Sequence, residues 1–267
     1  MTLQEKYDAL KNYLASLGST AVAFSGGVDS TLLLKISQDV LGDKAVAVTA
    51  GASFVPSREL DEAKDFCKKN NIRQIIFHVN ESSIPNFKAN PKNRCYFCKL
   101  EIFKKILSLA TENNLAHVVE GSNVDDLGDF RPGLRALKEL EIKSPLRVAE
   151  LTKAEIRLLS RELGLPTFDK PSYACLASRF VYGEEITPEK LKMVEEAEEF
   201  LRALGFKQLR VRIHGLLARI EIMPEDFNRV LNQETREKIY QALKNFGFSY
   251  VALDLKGYRS GSMNEAL

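Results

Sequence analysis

Apolar positions along this chain fall into two textures. In the first, short continuous apolar runs alternate with stretches of helical period. AVAF (21–24), KAVAVTAG ending at Thr49, Ala50 and Gly51, QIIFHV (74–79) and HVVEGSN (117–123) read as strands. Between them the pattern predicts helices opening at Thr31, over 57–70 and over 98–113. Apolar strands with no polar alternation have no wet side, so they predict a parallel sheet covered on both faces. MTLQEKYDALKNYLASLG predicts an amphipathic helix at the start of the chain. LTKAEIRLLSRELGLP predicts another, with a capping-box start at Thr152 and Glu155 and a stop at Gly164 and Pro166, while SPLRV (144–148) before it reads as a short strand. From about Pro188 the texture changes: a helix over 188–204 ends at Gly205, followed by KQLRVRIH, LLARIEIM, a helical stretch to Phe246, and FSYVALDL. Helix, strand, strand, helix, strand predicts a small α+β unit. The expected organisation is an α/β, doubly wound parallel-sheet domain over 1–182 and a smaller C-terminal α+β domain over 183–267, with the boundary near 183.

The first strand runs directly into SGGVDSTLLLKI. A loop at a strand-to-helix turn is where phosphate binds, because the first-turn N–H groups lack intrahelical partners and the helix dipole favours an anion. A Gly-Gly turn also arises for steric reasons alone, but this string is more demanding. Ser25 and Ser30 add hydroxyl donors, and Asp29 offers a carboxylate that repels phosphate unless Mg²⁺ lies between them. The Gly-Lys-Ser/Thr ending of a P-loop is missing. The string instead resembles the PP-loop of ATP pyrophosphatases, which implies ATP cleaved between its α- and β-phosphates. The expected ATP contacts are Ala23, Ser25, Gly26, Gly27, Asp29 and Ser30, with Thr49 and Gly121 at the carboxyl ends of neighbouring strands facing the same crevice.

Composition changes this picture little. At 267 residues with a net charge of +2, the chain reads as globular and gives no electrostatic reason to expect a nucleic-acid partner. No run approaches a membrane span and the opening helix carries acids, so a cytoplasmic protein is expected. The cysteines change more. Cys67 lies in a helical pattern and reads as a core residue, whereas Cys95 and Cys98 form a C-x-x-C leading into a helix and Cys175 stands in KPSYACLASRF. A redox dithiol, half of a zinc site and part of an iron–sulfur cluster all remain open for the pair.

DLGDFRPGLRALKEL, SPL, LTKAEIR, LSRELGLPTFDKP, ACLASRF, YGEEIT, LRVRIHG and LARIEI together resemble the LarE family of ATP-dependent sulfur transferases over nearly the whole chain. The resemblance implies adenylation of a carboxylate of pyridinium bis-carboxylic acid mononucleotide and its conversion to a thiocarboxylate, in biosynthesis of the nickel-pincer cofactor of lactate racemase. It implies two possible sulfur sources, a [4Fe–4S] cluster on Cys95, Cys98 and Cys175 carrying an extra sulfide, or Cys175 itself left as dehydroalanine. Because all three cysteines are present, the cluster is expected, with the sulfide donor open. Lys99, Arg179, Arg210 and Arg212 are the implied substrate contacts, with Ser178 as a further donor to the same anion; Arg210 and Arg212 alternate on a predicted strand so that both face one way, as an anion clamp or as a solvated sheet face. Glu198 and Asp226 match, by the resemblance, carboxylates that bind metal between subunits of a homo-oligomer, a hexamer in the family, and read equally as ordinary solvated acids. His214 reads equally as a substrate contact or a structural residue.

Three other classes compete. A tRNA thiolation enzyme of the PP-loop class can carry the same three cysteines, but the even charge balance argues against a broad RNA footprint. An ammonia-using synthetase has no use for them. A non-enzymatic nucleotide-binding module would be indifferent to Cys175.

Overall fold

The computed structural model describes residues 1–128, 132–171, 174–259 and 261–266. Two compact units form, Met1–Pro85 with Asn93–Tyr173, and Asn86–Lys92 with Ala174–Leu267.

The first unit runs α1 (Leu3–Leu17), β1 (Thr20–Ala23), α2 (Val28–Leu41), β2 (Ala45–Gly51), α3 (Ser57–Lys69), β3 (Gln74–His78), α4 (Arg94–Glu112), β4 (His117–Val119), α5 (Gly133–Glu139), α6 (Pro145–Val148) and α7 (Lys153–Glu162). Its four strands are all parallel, in the order β3-β2-β1-β4. Alternation along the strands divides the core. Val22, Ala47 and Val119 pack with residues of α1, α2, α6 and α7, whereas Ala21, Val48 and Val118 pack with Phe103, Ile106 and Ala110 of α4 and Leu137 of α5. Apolar residues on both faces of each strand thus make a doubly wound sheet, as the continuous runs predicted.

Two local readings need correction. SPLRV is helical at Pro145–Val148, not a strand: Pro145 stands at the first helical position, where a missing N–H costs nothing. The helix expected from 98 begins at Arg94, so Cys95 and Cys98 both lie on its opening turns.

The second unit contains α8 (Pro188–Ala203), β5 (Leu209–His214), β6 (Leu217–Ile222), α9 (Phe227–Leu231), α10 (Gln233–Asn245) and β7 (Tyr250–Leu253). β5 and β6 form an antiparallel hairpin, and β7 joins β6 in parallel. The expected boundary near 183 falls inside this unit. Phe180 bridges to Ile213 of β5, and Asn90 donates to the carbonyl of Val181 at 2.6 Å while accepting from the Gly183 N–H at 2.9 Å.

After β7 the chain turns back at Gly257, whose φ is +69° and where an added Cβ would lie 2.5 Å from the carbonyl oxygen of Ile222. Gly257→Ala is expected to lose more than the roughly 1–2 kcal/mol of a left-handed L-residue, because backbone must also move. Urea denaturation of the variant beside the native chain checks this; an unchanged midpoint would refute it.

Candidate functional site

The loop after β1 is built as a strand-to-helix turn. Gly27 caps α2, and its carbonyl accepts from the Thr31 N–H at 2.9 Å and the Ser30 hydroxyl at 3.2 Å. The hydroxyls of Ser25 and Ser30 are 3.1 Å apart, so the two serines close the loop on each other. Gly121, just past β4, packs against it so closely that a Cβ there would sit 3.1 Å from the Ser30 nitrogen. The first-turn N–H groups therefore open between the ends of β1 and β4, where the strand order reverses.

Asp29 is tied on both oxygens. The Asn123 amide donates to one at 3.2 Å, and the ammonium of Lys153, at the start of α7, pairs with the other. Lys153 is anchored in turn, its backbone N–H donating to Asp125 at 2.8 Å. Glu120 holds the 120–123 segment from below: it is buried and accepts from the Ser122 N–H at 3.1 Å, the Ser122 hydroxyl at 2.7 Å and the Ser144 hydroxyl at 2.5 Å. Beneath the loop, the Lys170 ammonium donates to the Gly26 carbonyl at 2.9 Å and to Glu62 at 2.6 Å, while Arg157 of α7 grips the carbonyls of Phe168 and Lys170, each at 2.7 Å. Lys153 and Lys170 escaped the sequence reading. The one signal for Lys153 was its place directly after Thr152, the N-cap of a real capping box.

Ala23 ends β1 beside the loop, half-buried. Thr49 behaves differently from the expectation. Its hydroxyl donates to the Phe24 carbonyl at 2.9 Å and accepts from Gln74 at 2.8 Å, so it ties the sheet together and is not an open donor.

On α4, Cys95 is exposed and Cys98 half-buried, three residues apart and so on one side of the helix. The Arg94 guanidinium lies 3.8 Å from the Cys95 sulfur, and Lys99 lies over Gly133. Cys67 is the contrast: it is buried in the core, which pushes its thiol up to about 12 and leaves it inert.

The second unit carries the remaining candidates. Cys175 is half-buried at the start of a single turn over Leu176–Arg179. Arg179 is 0% exposed, and its whole fork is engaged inside the protein. Nε and Nη2 donate to the two oxygens of Glu198, both at 2.8 Å, and Nη1 donates to the carbonyls of Ala174 at 2.6 Å and Cys175 at 3.1 Å and to the Ser178 hydroxyl at 3.0 Å. Arg179 thus braces the turn that presents Cys175 and Ser178, in place of the expected direct substrate contact.

Glu198, expected as a metal ligand, is engaged by the protein's own donors. Besides Arg179 it accepts from Arg202 at 3.0 Å and from the Val211 N–H at 3.0 Å. Burial raises its pKa, but the charge and hydrogen bonds of Arg179, with Arg210 and Arg202, outweigh that and hold it at about 2. Asp226 stands on the turn before α9, 3.6 Å from Arg229. Among the described residues no three His, Cys, Asp or Glu side chains gather as a metal-binding group.

Arg210 and Arg212 face one way on β5, as their alternation predicted, but into the protein. Arg212 pairs with buried Glu221 at 2.9 Å, and the Arg210 guanidinium lies 5.1 Å from the centre of the Tyr258 ring. Burial, with Arg179 beside it, lowers Arg210 to about 10. His214 accepts from Arg219 at 3.1 Å, and burial followed by that positive charge lowers its pKa, which makes it a structural acceptor.

An anion cradle at the switch point of a parallel α/β sheet defines a nucleotide-handling PP-loop protein. The comparisons agree: residues 2–97 match the NAD synthase family model. The chain is 45% identical to an uncharacterized protein of Synechocystis sp. over 99% of each chain. It is 37% identical to the pyridinium-3,5-bisthiocarboxylic acid mononucleotide synthase of Lactiplantibacillus plantarum over 100% of this chain and 96% of that one. It is also 28% identical to a component of the glutamine-hydrolyzing GMP synthase of Thermoplasma acidophilum, over 74% of this chain and 68% of that one. The chain belongs to the LarE family of PP-loop proteins.

Two expectations follow. Lys153→Met removes a charged donor at the loop mouth and should raise the ATP requirement for pyrophosphate release about 10- to 100-fold, at 1.5–3 kcal/mol per charged hydrogen bond. An unchanged KM for ATP would count against that role. The Glu198 carboxylate, at about 2 against an ordinary 4.5, contributes stability that is complete above pH 4.5 and is lost as pH falls towards 2. Glu198→Gln should remove that acid-labile component and cost about 3–5 kcal/mol at neutral pH by stranding its arginine, as read from denaturation at pH 7 and pH 3.

Proposed function

We propose that the protein is an ATP-dependent sulfur transferase that adenylates a carboxylate of pyridinium-3,5-biscarboxylic acid mononucleotide and converts it to a thiocarboxylate. The observation that carries this reading is whole-length similarity to a synthase of the corresponding bisthiocarboxylic acid mononucleotide, joined to a PP-loop of the required geometry.

A carboxylate resists nucleophiles because its charge repels them and oxide is a hopeless leaving group. Adenylation removes both obstacles. The substrate oxygen attacks the α-phosphorus of ATP, and the bond to the β-phosphate oxygen breaks to release pyrophosphate. Ser25, Gly26, Gly27 and Ser30 line the loop that receives this leaving group, with Asp29 as the carboxylate for Mg²⁺ and Lys153 as a cation for a phosphate oxygen. A sulfur nucleophile then attacks the acyl carbon and AMP departs. Thiolate sulfur suits this step at neutral pH.

Cys95, Cys98 and Cys175 supply the donor type a cluster takes, though the described residues do not gather them as a metal-binding group. All three thiols are at least partly exposed, unlike Cys67, and two share one side of a helical turn. Held by these three thiolates, a [4Fe–4S] cluster supplies one iron open to a hydrosulfide. If no cluster forms, Cys175 itself attacks the acyl carbon, and loss of its α-proton with cleavage of its Cβ–S bond leaves dehydroalanine and the thiocarboxylate. Lys99, Ser178 and the remaining N–H of Arg212 are the candidate substrate contacts; Arg210 supplies positive potential from behind. In this reading the first unit activates ATP and supplies Lys99, while the second supplies the other mononucleotide contacts and carries contacts of a cytoplasmic homo-oligomer. No helix among the described residues is long and apolar enough to cross a membrane.

The test is purification without oxygen, followed by iron and labile-sulfide assays and turnover with ATP and the dicarboxylate mononucleotide. About four irons per chain, lost in Cys95→Ala, together with AMP, pyrophosphate and thiocarboxylate as products, are expected. Iron absent after reconstitution, with one H₂S lost in mass from Cys175 on turnover, would transfer the sulfur source to Cys175. Failure to release pyrophosphate in the presence of the mononucleotide would overturn the reading.

A further inference from the structure

The segment after β7 lies along the arginines of the β5–β6 hairpin and meets each of them, Arg219 first through Asp254. Past Gly257, the Tyr258 N–H donates to the Ile222 carbonyl at 2.7 Å and fastens the segment to the end of β6. The Tyr258 ring then stacks on Arg210, and the Met263 sulfur accepts from Arg219 at 3.4 Å.

Between them, Ser262 is 5% exposed and doubly bonded: its hydroxyl donates to Glu221 Oε1 at 2.6 Å and accepts from Arg212 Nη2 at 2.9 Å. A buried hydroxyl that bridges an ion pair from outside it does not extend the hairpin. It restricts one side chain.

That side chain is Arg212. Its Nε donates to Glu221 Oε2 at 3.1 Å, Nη2 donates to the same oxygen at 2.9 Å and to Ser262, and Nη1 donates to the Ser178 carbonyl at 3.1 Å. A guanidinium has five N–H groups in a rigid fork, so among the described residues one Nη1 hydrogen is left over, with its direction set by the other four. Ser178 ties that direction to the turn that carries Cys175. Without the Ser262 hydroxyl, Nη2 and Glu221 each lose a buried partner, and the fork is free to rotate about its remaining bonds.

We infer that Ser262 is a positioning residue for anion recognition, and that the C-terminal segment is part of the mononucleotide-binding half of the protein. It acts through Arg212, whose remaining N–H meets an anionic oxygen of the substrate. The inference rests on the proposed function for the identity of that anion, though not for its charge.

Two measurements separate them. The first is the side-chain Nε–H resonance of Arg212, assigned by its loss in Arg212→Lys and titrated with inorganic phosphate. The native protein should respond saturably, and Ser262→Ala should need about 10-fold more phosphate. Ser262→Thr keeps the hydroxyl and should restore most of the response, which answers any charge that the alanine variant is merely misfolded. No response in the native protein, or equal responses in native and Ser262→Ala protein, would overturn the inference.

The second is equilibrium binding and kinetics with the dicarboxylate mononucleotide. Ser262→Ala should weaken its binding about 10-fold and leave the KM for ATP unchanged. Equal weakening of both would show general damage and defeat the inference. A native protein that binds phosphate at Arg212 and ignores the mononucleotide would refute the proposed function and leave the role of Ser262 intact.

Discussion

The parallel pairing of β1 with both β2 and β4 is the constraint on which the nucleotide site depends. Between β1 and β4 the strand order reverses, so the crossovers serving the two sides of β1 lie on opposite faces and the loops at its carboxyl end part to leave a crevice. Here the loop after β1 and the segment after β4 bound that crevice, and the second comes so near the first that a Cβ at 121 would lie 3.1 Å from the Ser30 nitrogen. The helix N-terminus supplies donors whatever its surroundings. What makes it a directed site is that Asp29 is held from two separate elements, Asn123 after β4 and Lys153 on α7. Charge at the mouth of the loop is thereby balanced and oriented by residues with no place in the loop itself.

The second unit solves a different problem, that of keeping several arginines inside a small α+β body. Burying a charge is costly unless it is paired and hydrogen-bonded. Glu198 and Glu221 satisfy that condition at 0% exposure each, the first for Arg179 and Arg202, the second for Arg212 and Arg219. Arg210 donates to the Leu209 carbonyl at 2.7 Å and lies on the Tyr258 ring, and its lowered pKa reflects desolvation with a neighbouring arginine. Arginines held this way cannot sweep through solvent in search of a ligand. They give fixed direction and a standing positive potential, while Ser178 and Cys175 are carried on the turn that Arg179 braces.

Much of the first unit was legible because its signals are local. A buried strand, a Gly-Gly turn and a helix follow one another in a single run, and so does the C-x-x-C on one helical turn. Continuous apolar strands with helices between them carried the sheet type. SPLRV was misread because four residues are too short to display a period, so its proline at the first helical position was the better guide. The alternation of Arg210 and Arg212 gave the right relative orientation and the wrong surroundings. Period two says that both side chains share a face and is silent on whether that face meets water, substrate or Glu221.

By itself the sequence determined the PP-loop turn, the parallel α/β class, the change of texture from about residue 188 and the set of thiols available for chemistry. Those are properties of neighbouring residues, set by propensity and periodicity. Only the tertiary structure decided that Lys153 and Lys170 serve the loop, that Thr49 ties strands together, that Glu198 belongs to Arg179 and that Ser262 belongs to Arg212. Each of these joins residues far apart in the chain. Whether a given charge meets its partner depends on strand register and helix packing, and no short window of sequence contains either.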